Sequence, residues 1–514
     1  CVEHLRGMFA FAIWDEVEKS LFIARDRVGK KPLLYSHQPN GDLIFGSEFQ
    51  AFLQHPSISR EVDNEAIHHY LSYLCVPAPL TAFKQIRKLE PAHWLLWKNG
   101  EVKTQRYWLP DFHKKLKINE QEAEEETLRL LREATKMRMI SEVPLGAFLS
   151  GGVDSSIVVA LMAEFSEKPV KTFSIGFEEE DYSELKYAKI VANHIGAEHH
   201  EFIVKPNAIE ILPLLVEHYG EPYADSSAIP TYYVSLETRK HVTVALNGDG
   251  GDESFAGYER YLAMRLSEKY HKIPSLLRKG LIENAINLIP TSELKRSRAR
   301  DLKRFLKAAS LPKVERYLQW VGAIDRNSKE LLYTEDFKSQ VKSADSAQFL
   351  SQWFDKSNGN GIVDATMFTD QMTYLPNDLL VKVDIASMAN SLEARSPLLD
   401  HKVIEFAASL PESIKLKGAE NKSLLKKVGS RLVPREVLYR KKMGFGVPIA
   451  NWLRGELKGF LQENLLSQQF AKRGIIKSEV VGKLVTEHLT AEKDNYNQLW
   501  TLLMLELWFQ KFID

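Results

Sequence analysis

The run Leu149-Ser150-Gly151-Gly152-Val153-Asp154-Ser155-Ser156 narrows the choices for this chain more than any other segment. It follows an apolar stretch, Pro144 to Leu149, that reads as a strand. It precedes another, Ile157 to Phe165, that reads as a helix. The expected unit is strand, tight glycine turn and helix N-terminus. The first amides of a helix lack intrahelical partners and sit at the positive end of its dipole, so they attract phosphate. Glycine lets the backbone approach an anion closely, and serine hydroxyls add donors. Asp154 would repel a phosphate unless a divalent cation such as Mg²⁺ stands between them. No Gly-Lys-Ser/Thr sequence closes the loop, so it is not a Walker A motif. It reads instead as a pyrophosphate loop of the kind that holds ATP while ATP is split into AMP and pyrophosphate. The bland alternative is a serine- and glycine-rich surface turn, and the flanking strand and helix speak against it.

A chain of 514 residues has room for several domains. Formal net charge is zero, which gives no electrostatic argument for a nucleic-acid or membrane partner. Cys1 and Cys75 are the only cysteines. Neither a disulfide framework nor a thiolate zinc site is expected, and the expected compartment is the reducing cytoplasm. No apolar stretch approaches the ~20 residues of a membrane span. The chain opens on Cys1 and soon enters Leu5-Arg6-Gly7-Met8-Phe9-Ala10-Phe11, which reads as a core strand. So abrupt a start is expected of a chain cut inside a domain.

Residues 1–108 carry β signals. The strand ending at Trp14 should pair with Ser20 to Arg25. Leu33 to Ser36 and Leu43 to Ser47 should form a hairpin, and so should Trp94 to Trp97 and Val102 to Tyr107, around Asn99-Gly100. Val76 to Leu80 is held extended by prolines. Residues 109–118 read as a polar linker. From residue 119 helices and strands alternate: a helix over Glu120 to Ile140 capped by Asn119, then strands near 145–150, 170–176, 198–204 and 242–247. That spacing predicts a doubly wound parallel sheet. Beyond residue 254 the pattern is mostly helical.

A second loop, Asn247-Gly248-Asp249-Gly250-Gly251-Asp252-Glu253, leaves the buried strand Val242 to Leu246. Ligands bind off the carboxyl ends of strands in such sheets, so this loop should share a crevice with the first. A plain Gly/Asp turn or a calcium loop is the alternative, and the spacing does not fit an EF-hand.

With both loops in view, the chain resembles the glutamine-hydrolysing asparagine synthetases. The likeness includes Arg6-Gly7-Met8-Phe9-Ala10-Phe11, Ala24-Arg25-Asp26-Arg27-Val28-Gly29, Lys31-Pro32-Leu33 and Gly46-Ser47-Glu48. It continues through Tyr374-Leu375-Pro376-Asn377-Asp378, Lys382-Val383-Asp384, Leu392 to Asp400 and Arg440-Lys441-Lys442. The implied fold is α/β. Residues 1–108 would be the C-terminal portion of an Ntn-type, class II glutaminase domain with α/β/β/α layers, and 109–118 a linker. Residues 119–514 would be a PP-loop, adenine nucleotide α hydrolase-like synthetase domain with a helical C-terminal part.

The resemblance implies that Ser150, Gly151, Gly152, Asp154 and Ser155 hold the β,γ-phosphates of ATP, with Asp154 and Asp252 on Mg²⁺. Leu149, Ile175, Asn247 and Gly248 would line the nucleotide site. Asp249 falls where the family places a carboxylate important for the acyl-adenylate step, and Lys442 where a lysine neutralises the leaving pyrophosphate. The implied reaction is amidation of aspartate to asparagine through an aspartyl adenylate. Its partners would be aspartate, ATP and glutamine or ammonia, and a homodimer is among the expectations. Relatives of the fold act on sugar, peptide or β-lactam carboxylates, and a non-catalytic relative is a further alternative. The family's N-terminal cysteine precedes a glycine, whereas Cys1 precedes Val2-Glu3-His4. Cys1 is therefore not expected to be the glutaminase nucleophile, and this chain is expected to use free ammonia.

Other features read plainly. His68-His69 and His199-His200 should be surface or packing residues. The basic run Lys295 to Arg304 should be a solvated helix face. Glu393, Arg395 and Asp400 fit a salt-bridge cluster or a substrate role equally, as do Lys382 and Asp384. Trp94, Trp97, Tyr107 and Trp108 should form hairpin core.

Overall fold

The computed structural model describes residues 1–177, 183–204, 207–274, 278, 305–306, 308–357, 359–440, 444 and 446–514. Strands β1 (Ala10–Asp15), β2 (Ser20–Arg25), β3 (Leu34–His37), β4 (Leu43–Gly46), β5 (Arg87–Lys88), β6 (His93–Lys98) and β7 (Glu101–Arg106) build the N-terminal part. They form two antiparallel sheets, ordered β1-β2-β6-β7 and β4-β3-β5. The expected hairpins are present, and their tips meet: Trp97 Nε1 donates to the Gly41 carbonyl at 2.7 Å. Ile23, Leu33, Leu89 and Leu95 form the small core of this part.

Two expectations need correction here. The run through Trp14 is not a core strand. β1 is an edge strand with β2 as its partner, and Ile13 and Trp14 remain half exposed. The aromatic cluster also divides. Trp94 and Trp97 pack on Phe22 and Trp14, whereas Tyr107 OH donates to the Arg25 carbonyl and Trp108 Nε1 to Glu405. The stretch 109–118, expected as a polar linker, has no helix or strand and is packed against its neighbours. Phe112 is fully buried against Phe368, and Lys115 Nζ reaches Asp364 at 2.8 Å.

Strands β8 (Leu145–Phe148), β9 (Lys171–Gly176), β10 (Glu198–Ile203), β11 (Val244–Leu246) and β12 (Glu393–Arg395) form one parallel sheet, ordered β10-β9-β8-β11-β12. β12 escapes sequence reading because it is three residues long and two of them are charged. Beyond the sheet's strands the chain forms helices α1 (Glu120–Arg138), α2 (Val153–Phe165), α3 (Leu380–Met388), α4 (His401–Ser409), α5 (Ser423–Gly429) and α6 (Tyr496–Phe512), the last packed against Tyr70 and Phe83 of the N-terminal part. Asn119 and Glu122 close a capping box on α1. α2 buries Ile157, Val158, Val159 and Leu161 almost completely, each contributing about 1.5–3 kcal/mol. His200 packs on Phe173 and His241, and His69 on Tyr73, in keeping with packing roles. The basic run Lys295 to Arg304 lies outside the described residues. Among those described, no helix is long and apolar enough to cross a membrane.

Asp400 ties the N-terminal layers to the parallel-sheet half. It caps α4 and accepts from Arg6 Nε at 2.8 Å and Arg138 Nη1 at 2.5 Å, with no exposure of its own side chain. This settles Asp400 as a structural anchor. Lys31 to Asp384, at 2.7 Å, is a second tie. Burial pushes the Asp400 carboxyl up, but Arg6 and Arg138 outweigh it and hold it below its ordinary value. A folded value below the unfolded one means stability that is full above the unfolded value and lost as pH falls through the folded one. Asp400→Asn should therefore cost about 3 kcal/mol at neutral pH. It should also flatten the acid limb of stability below about pH 4. Denaturant unfolding at pH 7 and pH 3 checks both.

Candidate active site

Strands β8 and β11 are hydrogen-bonded neighbours, in register from Val244–Leu145 to Leu246–Ala147. From β8 the sheet continues to β9 and β10 on one side, and from β11 to β12 on the other. Their carboxyl ends therefore flank the point where the strand order reverses, the usual place for a ligand crevice. The loops Leu149–Gly152 and Asn247–Gly250 leave those two ends and pack directly on each other. A Cβ on Gly251 would lie 2.4 Å from Asp154 Oδ1, and one on Gly248 would lie 2.7 Å from Ser155 N. Only glycine permits that approach.

The expected nucleotide residues sit where the strand–turn–helix reading puts them. Gly152 is the N-cap of α2, and Asp154 stands in its first turn. Ser150 Oγ and Ser155 Oγ are 3.0 Å apart. Leu149 is buried at the end of β8, its amide donating to the Phe173 carbonyl at 2.9 Å. Ile175 is buried near the end of β9. Asn247 Nδ2 donates to Asp249 Oδ2 at 2.7 Å, and Ser396 Oγ donates to the Asp249 carbonyl at 2.5 Å. Lys442 lies outside the described residues.

Lys422, which sequence reading passed over, joins the two loops. Its ammonium donates to Asp154 Oδ2 and lies 2.8 Å from Asp252 Oδ1. It precedes α5 in a left-handed conformation, φ +53°, with its side chain 8% exposed. Burial would push the Lys422 ammonium down, but Asp154 and Asp252 outweigh it and hold it above its ordinary value. Nothing nearer than the loop Gly418-Ala419-Glu420-Asn421 marks it in sequence. Arg440 is a second residue with no role assigned from sequence. Its Nε donates to the Gly151 carbonyl at 3.0 Å, it pairs with Glu184, and its guanidinium covers the Tyr187 ring at 4.6 Å.

Two further electrostatic features mark the crevice. Burial pushes the Asp249 carboxyl up, with Lys30 and Lys382 pulling it partly back. Glu253, buried beside Asp252, is pushed up to about 7, chiefly by burial. Lys382 itself donates to Asp225 Oδ2 and Ser227 Oγ, both at 2.8 Å, while Glu393 pairs with Arg395 at 2.6 Å.

The donor set suits a divalent cation. Two carboxylates converge on one cationic nitrogen between them, and carboxylate oxygens are the ligands that hard cations take. Among the described residues no cluster of three or more His, Cys, Asp or Glu side chains is placed to hold a metal.

Fold and loops together define a mixed α/β enzyme whose parallel PP-loop sheet stands behind two antiparallel β layers. The family model for asparagine synthase matches residues 126–510, and that for the glutamine amidotransferase domain matches residues 1–108. Asparagine synthetase [glutamine-hydrolyzing] 1 of Bacillus subtilis is 33% identical over 506 residues, 98% of this chain and 77% of that protein. A putative asparagine synthetase [glutamine-hydrolyzing] of Mycobacterium tuberculosis is 33% identical over 526 residues, 100% of this chain and 78% of that one. The amidase chyE of Penicillium rubens is 24% identical over 537 residues, 96% of this chain and 77% of that one. The chain belongs to the asparagine synthetase family of glutamine-hydrolysing amidotransferases, a ligase family that uses ATP and glutamine.

Proposed function

We propose that this chain converts L-aspartate to L-asparagine through a β-aspartyl-AMP intermediate, with residues 1–108 belonging to the glutaminase part, 109–118 a connector and 119–514 the synthetase. The observation that carries the reading is the Asp154–Lys422–Asp252 cluster where the two glycine loops meet. A carboxylate does not react with ammonia until it is activated. An oxygen of the aspartate side chain attacks the α-phosphorus of ATP, the bond to the β,γ-diphosphate breaks, and pyrophosphate leaves. Ser150, Gly151, Gly152 and Ser155 hold the β,γ-phosphates at the start of α2, where the helix dipole and amide groups favour anions. Asp154 and Asp252 would hold Mg²⁺, which supplies Lewis-acid neutralisation of charge on the departing diphosphate. Lys422, already between those carboxylates, adds positive charge there; Lys442 is proposed, from the family resemblance alone, to neutralise the departing pyrophosphate.

Leu149, Ile175, Asn247 and Gly248 shape the nucleoside side of the crevice. Ammonia next attacks the acyl carbon, the bond to AMP breaks, and a proton must leave the nitrogen. Asp249 is suited to take it. It is buried and its proton affinity is raised, while Asn247 fixes one carboxylate oxygen and leaves its orientation defined.

A second reading keeps this chemistry and changes the acceptor, as the match to the Penicillium amidase favours. Pyrophosphate release with ATP, Mg²⁺ and ammonium across a panel of aspartate, glutamate, sugar acids and β-amino acids separates the two. Release with aspartate alone is the expected result. Equal or faster release with another acid would replace aspartate as the acceptor.

A further inference from the structure

Between the N-terminal β layers and the parallel-sheet half lies a cavity of about 250 Å³. Its wall includes Arg6, Lys30, Arg138 and Arg395, four cations, against Asp26 and Glu393. Most of these charges are already spoken for. Asp26 accepts the backbone amides of Val28, Lys30 and Lys31 at 3.2, 2.9 and 3.0 Å. Glu393 pairs with Arg395, and Arg138 pairs with Asp400. Lys30 is different: it is 5% exposed, and its Nζ has no hydrogen-bond partner among the described residues. The Nη2 atom of Arg6 is likewise buried and unpartnered, while its Nε and Nη1 serve Asp400 and Glu133.

The cavity reaches the active-site loop. Ser396, in its wall, donates to the Asp249 carbonyl, and Leu399, also in its wall, closes on Gly250, where a Cβ would lie 2.3 Å away. Lys30 and Asp249 feel each other's charge. Asp249 and Asp384 act on the Lys30 ammonium through space, but no described residue hydrogen-bonds it, and a buried ammonium so placed is costly unless an anion arrives.

We propose that this cavity is a carboxylate site, with the Lys30 ammonium as its anchor and Arg6 Nη2 as a second donor. Resting on the proposed function, the ligand is the non-reacting carboxylate of the acceptor amino acid, held while its other carboxylate faces the nucleotide. The same chemistry would take a free dicarboxylate. Burial pushes the Lys30 ammonium down to about 8. A bound carboxylate would favour its charged form. Lys30 lies in the N-terminal part, so that part would contribute to acceptor recognition as well as to nitrogen supply.

The test uses Lys30→Met, which keeps the apolar stem, and Lys30→Arg, which keeps the charge. With ammonium as nitrogen source, Lys30→Met should raise the KM for aspartate roughly 30-fold, the usual size of a lost charge-assisted contact. The KM for ATP should not move, and Lys30→Arg should recover part of the loss in KM for aspartate. Malonate provides a direct binding probe. It should raise the melting temperature of the native chain and not that of Lys30→Met. Competition between malonate and aspartate identifies the acceptor's carboxylate as the occupant, and stabilisation without competition identifies a free dicarboxylate; either upholds the site. An unchanged KM for aspartate together with equal malonate stabilisation of native and Lys30→Met proteins overturns it. A native chain that releases no pyrophosphate with aspartate removes the proposed reaction, and the malonate comparison then decides the site alone.

Discussion

Asp154→Ala will release pyrophosphate from ATP at least about 1,000-fold more slowly than the native chain, a loss on the order of 4 kcal/mol of transition-state stabilisation. The size follows from position. Asp154 stands in the first turn of α2, with Gly251 packed against its carboxylate and Asp252 facing it across one cation. Removing it deletes half of the carboxylate pair that would orient Mg²⁺ on the leaving diphosphate, in a site too closely packed for another side chain to take over. Asp154→Asn is the control for shape. It keeps the volume and loses the charge, so it should be nearly as slow as Asp154→Ala while melting close to the native chain. A pyrophosphate-release assay at saturating ATP and ammonium reads both. Turnover within threefold of native for either variant would remove Asp154 from the machinery.

Lys422→Met should strike both stability and activity. Lys422, Asp154 and Asp252 have side chains 8%, 15% and 17% exposed. Deleting the cation leaves two carboxylates facing each other with little water to separate them, a change that costs about 3–5 kcal/mol when one partner of a buried pair is lost. The acquired repulsion makes a second measurement informative. Adding Asp252→Asn to Lys422→Met should return part of the lost stability, because the double variant has one buried charge fewer. Urea unfolding midpoints of the native, single and double variants give the coupling directly. Activity should stay lost in both variants, since neither restores the site. Native-like stability in Lys422→Met would show that the ammonium seen between the carboxylates does not hold the loops together.

Much of the fold was legible because its signals are local. The strand–glycine turn–helix at 145–165, the capping box at Asn119 and the Asn99-Gly100 hairpin each depend on neighbours within a few residues. The meeting of the two glycine loops was legible for a topological reason, since both leave carboxyl ends of strands in one parallel sheet. What escaped is non-local. Lys422 meets Asp154 across 268 residues of sequence, and a single lysine before an apolar helix has nothing to distinguish it from a surface residue. Lys30 looks like an ordinary loop lysine until the parallel-sheet half closes over it. β12 is fixed by pairing with β11 rather than by its own pattern, and the exposure of Ile13 and Trp14 follows from the position of β1 at a sheet edge, which an apolar run does not disclose.

Arg395 and Glu393 show how a family-like segment can serve structure first. Arg395 pairs with Glu393 and donates to the carbonyls of Arg138 and Ile140 at 2.9 and 2.7 Å, which pins the end of α1 to β12. Ser396, the next residue, supports the Asp249 carbonyl. The stretch holds the Asn247–Gly250 loop in place and walls the cavity beside it.

The most direct measurement follows an isotope. L-Aspartate labelled with ¹⁸O in its side-chain carboxylate is incubated with the chain, ATP, Mg²⁺ and ammonium, and the nucleotide and phosphate products are examined by mass spectrometry. Attack of that carboxylate on the α-phosphorus leaves one labelled oxygen in AMP and none in pyrophosphate. Label in inorganic phosphate, with ADP as the nucleotide product, would mean activation at the γ-phosphorus and contradict the role given to the two glycine loops.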